Sequence, residues 1–459
     1  MKIFPKILNC FILVLLPAIV FLFSGVHITT AVSVRHKTKV TSIELRLSCP
    51  GSLVGVGGVH ARGISFVPLG NPSVLYAASQ AGLLKAEHPS GVMLRGGYGT
   101  SGSQIQGLSS DRVKGLAAAS CQQPRQESWL LGGATGVFDN TLLILGNPSD
   151  SQTSVSFTVY SGNEKKFSSG VPVPSRSLRF VNLAGIAPGL SRIAVQVKSD
   201  DVPVYSVLQH SIVKGAVPMG VSYVSTGNID KSQYIPGVII NDNTINDNDN
   251  PQILLRLFVP GKDDADVSVS VVSKTTPGTA LTAHVTGGSI RDIPISGLTS
   301  SSYFISITSS KPLLASALSS MSFQSGARDF AWYPATHATS ADTFIAVPSR
   351  GVLALQNTLD QSQSVKLESL NGFSDSFPSG FVNTSHVFVP KQPEVTNSTV
   401  IHLDRSGVAT HPVSRGFYRL SHKGQVAFSL AFVNSEGIAM YNPPTGDTRP
   451  DGITVDVLQ

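Results

Sequence analysis

The sequence predicts an all-β chain of tandem immunoglobulin-like β-sandwiches behind an N-terminal export segment. Three observations carry that prediction: short apolar runs alternate with period two, Gly/Pro turns separate them, and one strand-turn-strand unit recurs along the chain. Leu142 to Leu145 is a short apolar run, and Val155-Ser-Phe157-Thr-Val159, Ile193-Ala-Val195-Gln-Val197 and Val267-Ser-Val269-Ser-Val271 alternate, as do the later runs at Phe304 to Ile307 and Val426 to Leu430. Alternation puts one face of a pleated strand in a core and the other in solvent, and β-branched residues suit that surface. Turn signals such as Gly146-Asn147-Pro148, Ser161-Gly162-Asn163 and Pro260-Gly261 fall between the runs. Beyond residue 40 no stretch of ten or more residues carries helical spacing, so sandwiches are preferred over βαβ units.

Composition sets the limits. The 459 residues are 41% hydrophobic and only 14% charged, against roughly 25% charged in soluble domains. Disorder over most of the chain is excluded, since it requires low hydrophobicity and high charge. A polytopic membrane protein is excluded too, because only the run near the N-terminus approaches the roughly 20 residues that span a bilayer. The net charge of +6 is dispersed, the densest group being Arg35, His36, Lys37 and Lys39. Nucleic-acid binding is not expected, as it needs a basic stripe with stacking aromatics.

The elements follow in chain order. Residues 1–31 carry Lys2 and Lys6, an apolar stretch from Ile7 to Phe23, and the small-residue ending Thr29-Thr30-Ala31. That order is a secretory signal cleaved after Ala31, the competing reading being an uncleaved N-terminal anchor, the sole membrane contact expected. Cys10 lies inside the apolar stretch. Cys49 and Cys121 are expected to pair in an oxidising compartment, with two separately buried thiols as the alternative. Such a bridge closes a loop of about 70 residues, worth on the order of 4 kcal/mol. Without a third cysteine or Cys/His spacing, a thiolate zinc site is excluded.

Residues 40–125 read as a degenerate first β unit. Sandwich repeats follow at 126–218, 230–325 and 340–445, and 446–459 is a C-terminal tail. The unit is recognised by Asn147-Pro-Ser-Asp150 before the strand from Val155, repeated as Asn357-Thr-Leu-Asp360 before Val365. The middle copy has Pro260-Gly-Lys-Asp-Asp264 instead. A second block, Ser177-Leu-Arg-Phe-Val-Asn-Leu-Ala-Gly185, aligns with Ser289-Ile-Arg-Asp-Ile-Pro-Ile-Ser-Gly297. Units of about 100 residues suit sandwiches and exceed solenoid repeats. The Asn-x-x-Asp turn reads as structural, because Asn and Asp side chains bond nearby backbone and tolerate the αL region.

No catalytic constellation emerges, and no cofactor or metal is implied. Ser211-Ile-Val-Lys214 has serine/lysine spacing but lacks the companion motifs. The segment Asn241 to Asn250 is rich in oxygen donors, yet it lacks the central Gly and terminal Glu of an EF-hand and reads as a polar loop. The adjacent Trp332 and Tyr333 are the candidate platform for carbohydrate, weighed against a place in a sandwich core. Asn383-Thr-Ser385 and Asn397-Ser-Thr399 match glycosylation sequons.

The run Ser120-Cys121, Ser128-Trp-Leu-Leu-Gly-Gly133, Leu142-Leu-Ile-Leu-Gly-Asn-Pro148 and Val155-Ser-Phe-Thr-Val-Tyr160 resembles an actinobacterial family of secreted or membrane-anchored proteins whose shared domain has no assigned function. Cys49-Pro50-Gly51 and Leu183-Ala-Gly-Ile-Ala-Pro-Gly189 are similar to that family as well, and its two-cysteine pattern implies the Cys49–Cys121 bridge. The many Lys, Ile, Asn and Ser residues depart from usual actinobacterial composition. The resemblance supplies no catalytic residue. The expected function is a non-enzymatic, exported cell-envelope protein, outside the cell or on its surface, serving as spacer or binding scaffold for a cell-wall polysaccharide or an envelope protein. The alternative is an envelope hydrolase, or an accessory to a cell-wall enzyme.

Overall fold

Alternating apolar residues force each strand to bury one face, and the chain satisfies this by stacking sheets in pairs. A computed structural model describes residues 35–39, 45–444 and 454–458, apart from 61–62, 79, 85–90, 98, 111–112, 163–165, 248–249, 277, 324–325 and 372–393. Residues 1–31 and the sequon at Asn383 lie outside the described residues. The described chain is nearly all strand, with one 3-10 turn at Leu183–Gly185.

Strand β1 (Arg35–Lys39) precedes four sets of strands. The first comprises β2 (Leu45–Cys49), β3 (Val54–His60), β4 (Gly63–Pro68), β5 (Ser73–Ala77), β6 (Gln80–Leu84), β7 (Gly91–Gly96), β8 (Ser101–Ser109) and β9 (Lys114–Ser120). The second comprises β10 (Glu127–Leu131), β11 (Asp139–Asn147), β12 (Thr153–Ser161), β13 (Lys166–Val173), β14 (Ser177–Asn182), β15 (Ile193–Ser199), β16 (Tyr205–Lys214) and β17 (Val217–Val224). In the third are β18 (Asp230–Ile240), β19 (Ile253–Phe258), β20 (Ala265–Ser273), β21 (Thr279–Val285), β22 (Ile290–Ile295), β23 (Ser301–Ser322) and β24 (Arg328–Pro334). The fourth holds β25 (Thr343–Val347), β26 (Gly351–Asn357), β27 (Gln363–Asn371), β28 (Glu394–Leu403), β29 (Val408–Val413), β30 (Gly416–His422), β31 (Val426–Val433) and β32 (Ile438–Tyr441). Finally β33 (Thr454–Leu458), in the C-terminal tail, pairs antiparallel with β1; these two strands belong to a separate unit from residues 42–450.

The second and fourth sets share one topology, with sheets in the orders β10-β15-β12-β13 and β14-β11-β16-β17, and β25-β30-β27-β28 and β29-β26-β31-β32. In the third set two neighbouring strands fuse into the 22-residue β23, whose first half pairs β18 and β20 and whose second half pairs β19 and β24. The first set keeps β2-β7-β6 and β5-β8-β9, shows no hairpin matching β13–β14 among the described residues, and inserts the β3–β4 hairpin. Each set therefore ends on an equivalent strand: β9, β17, β24 or β32. Residues 219–224 and the whole of β24, which the repeat boundaries at 218 and 325 leave between units, are these terminal strands.

The Asn-x-x-Asp turn is a crossover latch built identically twice. Asn147 is buried and donates through Nδ2 to the carbonyls of Ser151 (2.7 Å) and Val173 (3.1 Å), while its Oδ1 accepts from the N–H of Ser149 (3.0 Å). Asn357 donates to Gln361 (2.8 Å) and Asp404 (2.7 Å) and accepts from Leu359 (3.0 Å). The partner acids Asp150 and Asp360 each meet an arginine, Arg176 and Arg405. These exposed pairs contribute little; the buried amides satisfy backbone groups that the chain strands on passing from one sheet to the other.

A disulfide joins Cys49 and Cys121, both fully buried beside Leu47 and Leu94. It ties the first strand of the first set to the residue that follows β9. Because the sulfurs close a loop across 72 positions, Cys49→Ser is expected to lower unfolding stability by about 4 kcal/mol. Urea midpoints of oxidised wild type and variant measure the loss.

Candidate functional site

The four terminal strands form a closed ring, β9 beside β17, β17 beside β24, β24 beside β32, and β32 beside β9. Each gives alternate side chains to the core of its neighbour. Val221 and Tyr223 of β17 enter the core of the first set, and Phe330 and Trp332 of β24 enter that of the second. Likewise Ile438 and Met440 of β32 enter the third, and Leu116 and Ala118 of β9 enter the fourth. The strands run parallel. Leu116 and Ile438 meet at one carboxylate, and four residues further on Ser120 Oγ donates to the carbonyl of Asn442 (2.8 Å). Gly220 packs on Asp329 and Phe330, and two residues further on Ser222 Oγ accepts from the N–H of Trp332 (3.0 Å), itself two beyond Phe330.

That shared carboxylate is Asp329, 1% exposed at the start of β24. Its Oδ2 accepts from the N–H groups of Leu116 (2.9 Å) and Ile438 (2.9 Å), and its Oδ1 from that of Val221 (3.1 Å). One side chain thus gathers a backbone donor from each of the other three sets. Space for it is made by glycine: a Cβ on Gly115, Gly220 or Gly437 would lie 2.3, 2.8 or 1.9 Å from an Asp329 oxygen, and Gly115 and Gly220 hold φ of 136° and 134°. At the level of the hub the four strands read Gly115-Leu-Ala, Gly220-Val-Ser, Asp329-Phe-Ala and Gly437-Ile-Ala. This small-apolar-small register is the signal that would have found the hub. Burial pushes the Asp329 pKa well above the usual carboxylate range, against the opposite pull of the donated N–H groups.

Next to the hub lies a buried polar chain between the second and third sets. His210 is 3% exposed; its Nε2 donates to Asp139 Oδ1 (2.9 Å) and its Nδ1 accepts from the indole of Trp332 (3.1 Å). The tautomer is fixed by the indole, which can only donate. Desolvation holds the His210 pKa below its ordinary value although Asp139 pulls it up. Over the Trp332 ring sits the Arg256 guanidinium at 4.9 Å, which forks onto Asp292 (2.8 and 3.0 Å) and reaches the carbonyl of Gly133 (2.7 Å). Gly132 and Gly133 adopt positive φ, and a Cβ at Gly132 would touch Trp332 at 3.0 Å. The Trp-Leu-Leu-Gly-Gly133 run is thus the socket for a tryptophan from the next set.

Trp332 and Tyr333 do not form a carbohydrate platform. They are 1% and 0% exposed, on opposite faces of β24, with Trp332 in the second set's core and Tyr333 in the third's. A stacking surface must be open to solvent, and the hand-over of alternate residues closes both faces. Ser211 is buried and Lys214 exposed on β16, so the structure does not bring them together. In the Asn241 to Asn250 loop, Asn241 Oδ1 accepts from the N–H of Asn243 (3.0 Å) and Asp247 Oδ1 from that of Asn250 (2.8 Å), which turns these oxygens toward their own backbone. Asn248 and Asp249 lie outside the described residues. No cluster of three or more His, Cys, Asp or Glu side chains with metal-holding geometry occurs among the described residues.

A family of unknown function, DUF5719, matches residues 93–375. The chain belongs to DUF5719. The match runs from β7 through β27 and so contains three of the four ring strands, the Trp332 socket and Asp329 itself. No curated protein matches the chain. In this DUF5719 member Asp329, His210 and Arg256 each bond a group of a neighbouring set.

Two outcomes test the hub. Asp329→Ala strands three buried N–H groups and is expected to cost more than about 3 kcal/mol, with Asp329→Asn intermediate because it keeps one acceptor oxygen; urea unfolding measures both. The depressed His210 pKa makes the unfolded chain bind more protons near and below its ordinary 6.5, so this group's contribution to stability is present at pH 7 and lost as the pH falls. Thermal unfolding between pH 7.5 and 5 is expected to show a shallower pH slope in His210→Gln than in wild type.

Proposed function

We propose that this protein is a non-enzymatic binding scaffold of an actinobacterial cell envelope, exported by residues 1–31 and then either released after Ala31 or held by the uncleaved apolar segment. Its outer sheets and end loops bind a cell-wall polysaccharide or an envelope protein. The observation that carries this reading is the use made of the buried His210 and its acid partner: both ring nitrogens are engaged, by Asp139 and by Trp332, leaving no lone pair to act as a base. Closure of the ring favours the scaffold over an extended spacer, which needs modules end to end.

The outward faces suit a hydroxylated ligand. On β20, β21 and β23, Ser268, Ser270, Thr282, Ser306 and Thr308 line a shallow open depression. Hydroxyls there both donate and accept. The buried Cys49–Cys121 disulfide accords with an oxidising compartment.

Purified full-length protein is expected to be retained saturably on cell-wall extract without releasing reducing ends or amino groups. Release that His210→Ala abolishes would overturn the non-enzymatic reading. Export is checked separately: alkylation of whole cells is expected to leave Cys49 and Cys121 unlabelled until reductant is added, and finding both thiols reactive in the cytoplasmic fraction counts against export.

A further inference from the structure

We propose that the hairpin end of the ring docks on a lipid bilayer carrying anionic head groups. Because β9, β17, β24 and β32 run parallel from a common level at Asp329, the hairpins that lead into them open on one face. Val217, 60% exposed, and Val433, 41% exposed, stand on two of these hairpins. A neighbouring turn is tied to the first of them by the N–H of Val213 donating to the carbonyl of Phe138 (2.8 Å), and it raises Val137, 96% exposed, and Phe138, 50% exposed. Of the seven exposed large hydrophobics among the described residues, four are therefore at this end, although nothing in alternation requires apolar residues at turn tips.

Shape and charge identify the occupant. The apolar groups crown convex turns, Gly136 to Asp139 and Lys214 to Val217, and a protruding tip enters the boundary between head groups and acyl chains more readily than it accepts a peptide. Lys214 is exposed at the second tip, and Lys114 and Arg328 are half-buried on adjacent hairpins. Against them stand the exposed Glu436 and the half-buried Asp139, which is bonded to His210. Among the described residues the balance is basic, the sign that an anionic leaflet attracts. This inference does not rest on the polysaccharide or envelope-protein reading.

The full chain carrying Phe138→Trp tests it, since native Trp129 and Trp332 are 9% and 1% exposed and the new indole reports the tip. Vesicles of phosphatidylglycerol with brominated acyl chains are expected to blue-shift and quench the added emission, and phosphatidylcholine vesicles to do so far less. Adding Lys214→Ala is expected to weaken the anionic response about fivefold. Val137→Asp with Val217→Asp is expected to abolish it even where the N-terminal apolar segment still sediments the chain with lipid. An indole that stays water-exposed on anionic vesicles overturns the proposal, as does failure to bind them. A blue shift that grows with protein concentration in the absence of lipid assigns the face to a second copy instead and overturns it equally.

Discussion

The structure of residues 42–450 depends on a single buried carboxylate. Asp329 stands where four parallel strands come together, and three of them direct an N–H at it. A strand that leaves its own sheet to serve a neighbour exposes backbone donors at its start, and a buried donor without an acceptor costs on the order of 1–3 kcal/mol. One aspartate answers three such donors at once. It can do so only because the other three strands carry glycine at the equivalent place, so the acid and the glycines form one device spread over four sequence-distant sites.

From that point outward the packing is cyclic. Each core is completed by two residues of the next terminal strand, so no set of strands owns all of its apolar interior. The junctions repeat the logic with polar groups. The amide of Gln209 binds the N–H and carbonyl of Val54 at 2.9 and 2.7 Å, and Ser429 Oγ donates to the carbonyl of Pro236 where Gly237 lies against Ala354. Asn442 Nδ2 donates to the carbonyl of Pro334 (2.7 Å), and Ser103 Oγ to that of Ala346 (2.6 Å), which closes the circle. These buried polar side chains fasten one set to the next. In the proposed function recognition falls to the outward surface, the hydroxyl-bearing sheet faces and the apolar, basic hairpin end.

Much of this was legible in local pattern. The alternating faces of β12 and β20 bury Val155, Phe157, Val159 and Val267, Val269, Val271 and leave the intervening residues exposed or half-buried, because period two is a property of the strand itself. Asn147 and Asn357 were legible as backbone-binding turn residues for a similar reason: one partner of each, Ser151 or Gln361, lies four residues further along the chain. The hub was legible only in part. A Gly or Asp before an apolar-small pair is common, and the four examples become one site only when the strands are brought side by side.

The sequence by itself therefore determined the all-β class, the strand faces and the latch turns, since each follows from neighbours along the chain or from one face of a pleated strand. Tertiary structure alone decided the ring, and with it the place of Trp332 and Tyr333. An adjacent Trp-Tyr pair reads the same whether its strand lies on a surface or between two cores. The second case holds because β24 lends alternate residues to two sets, and that choice is made by Asp329 drawing the N–H groups of residues up to 213 positions away onto its own two oxygens.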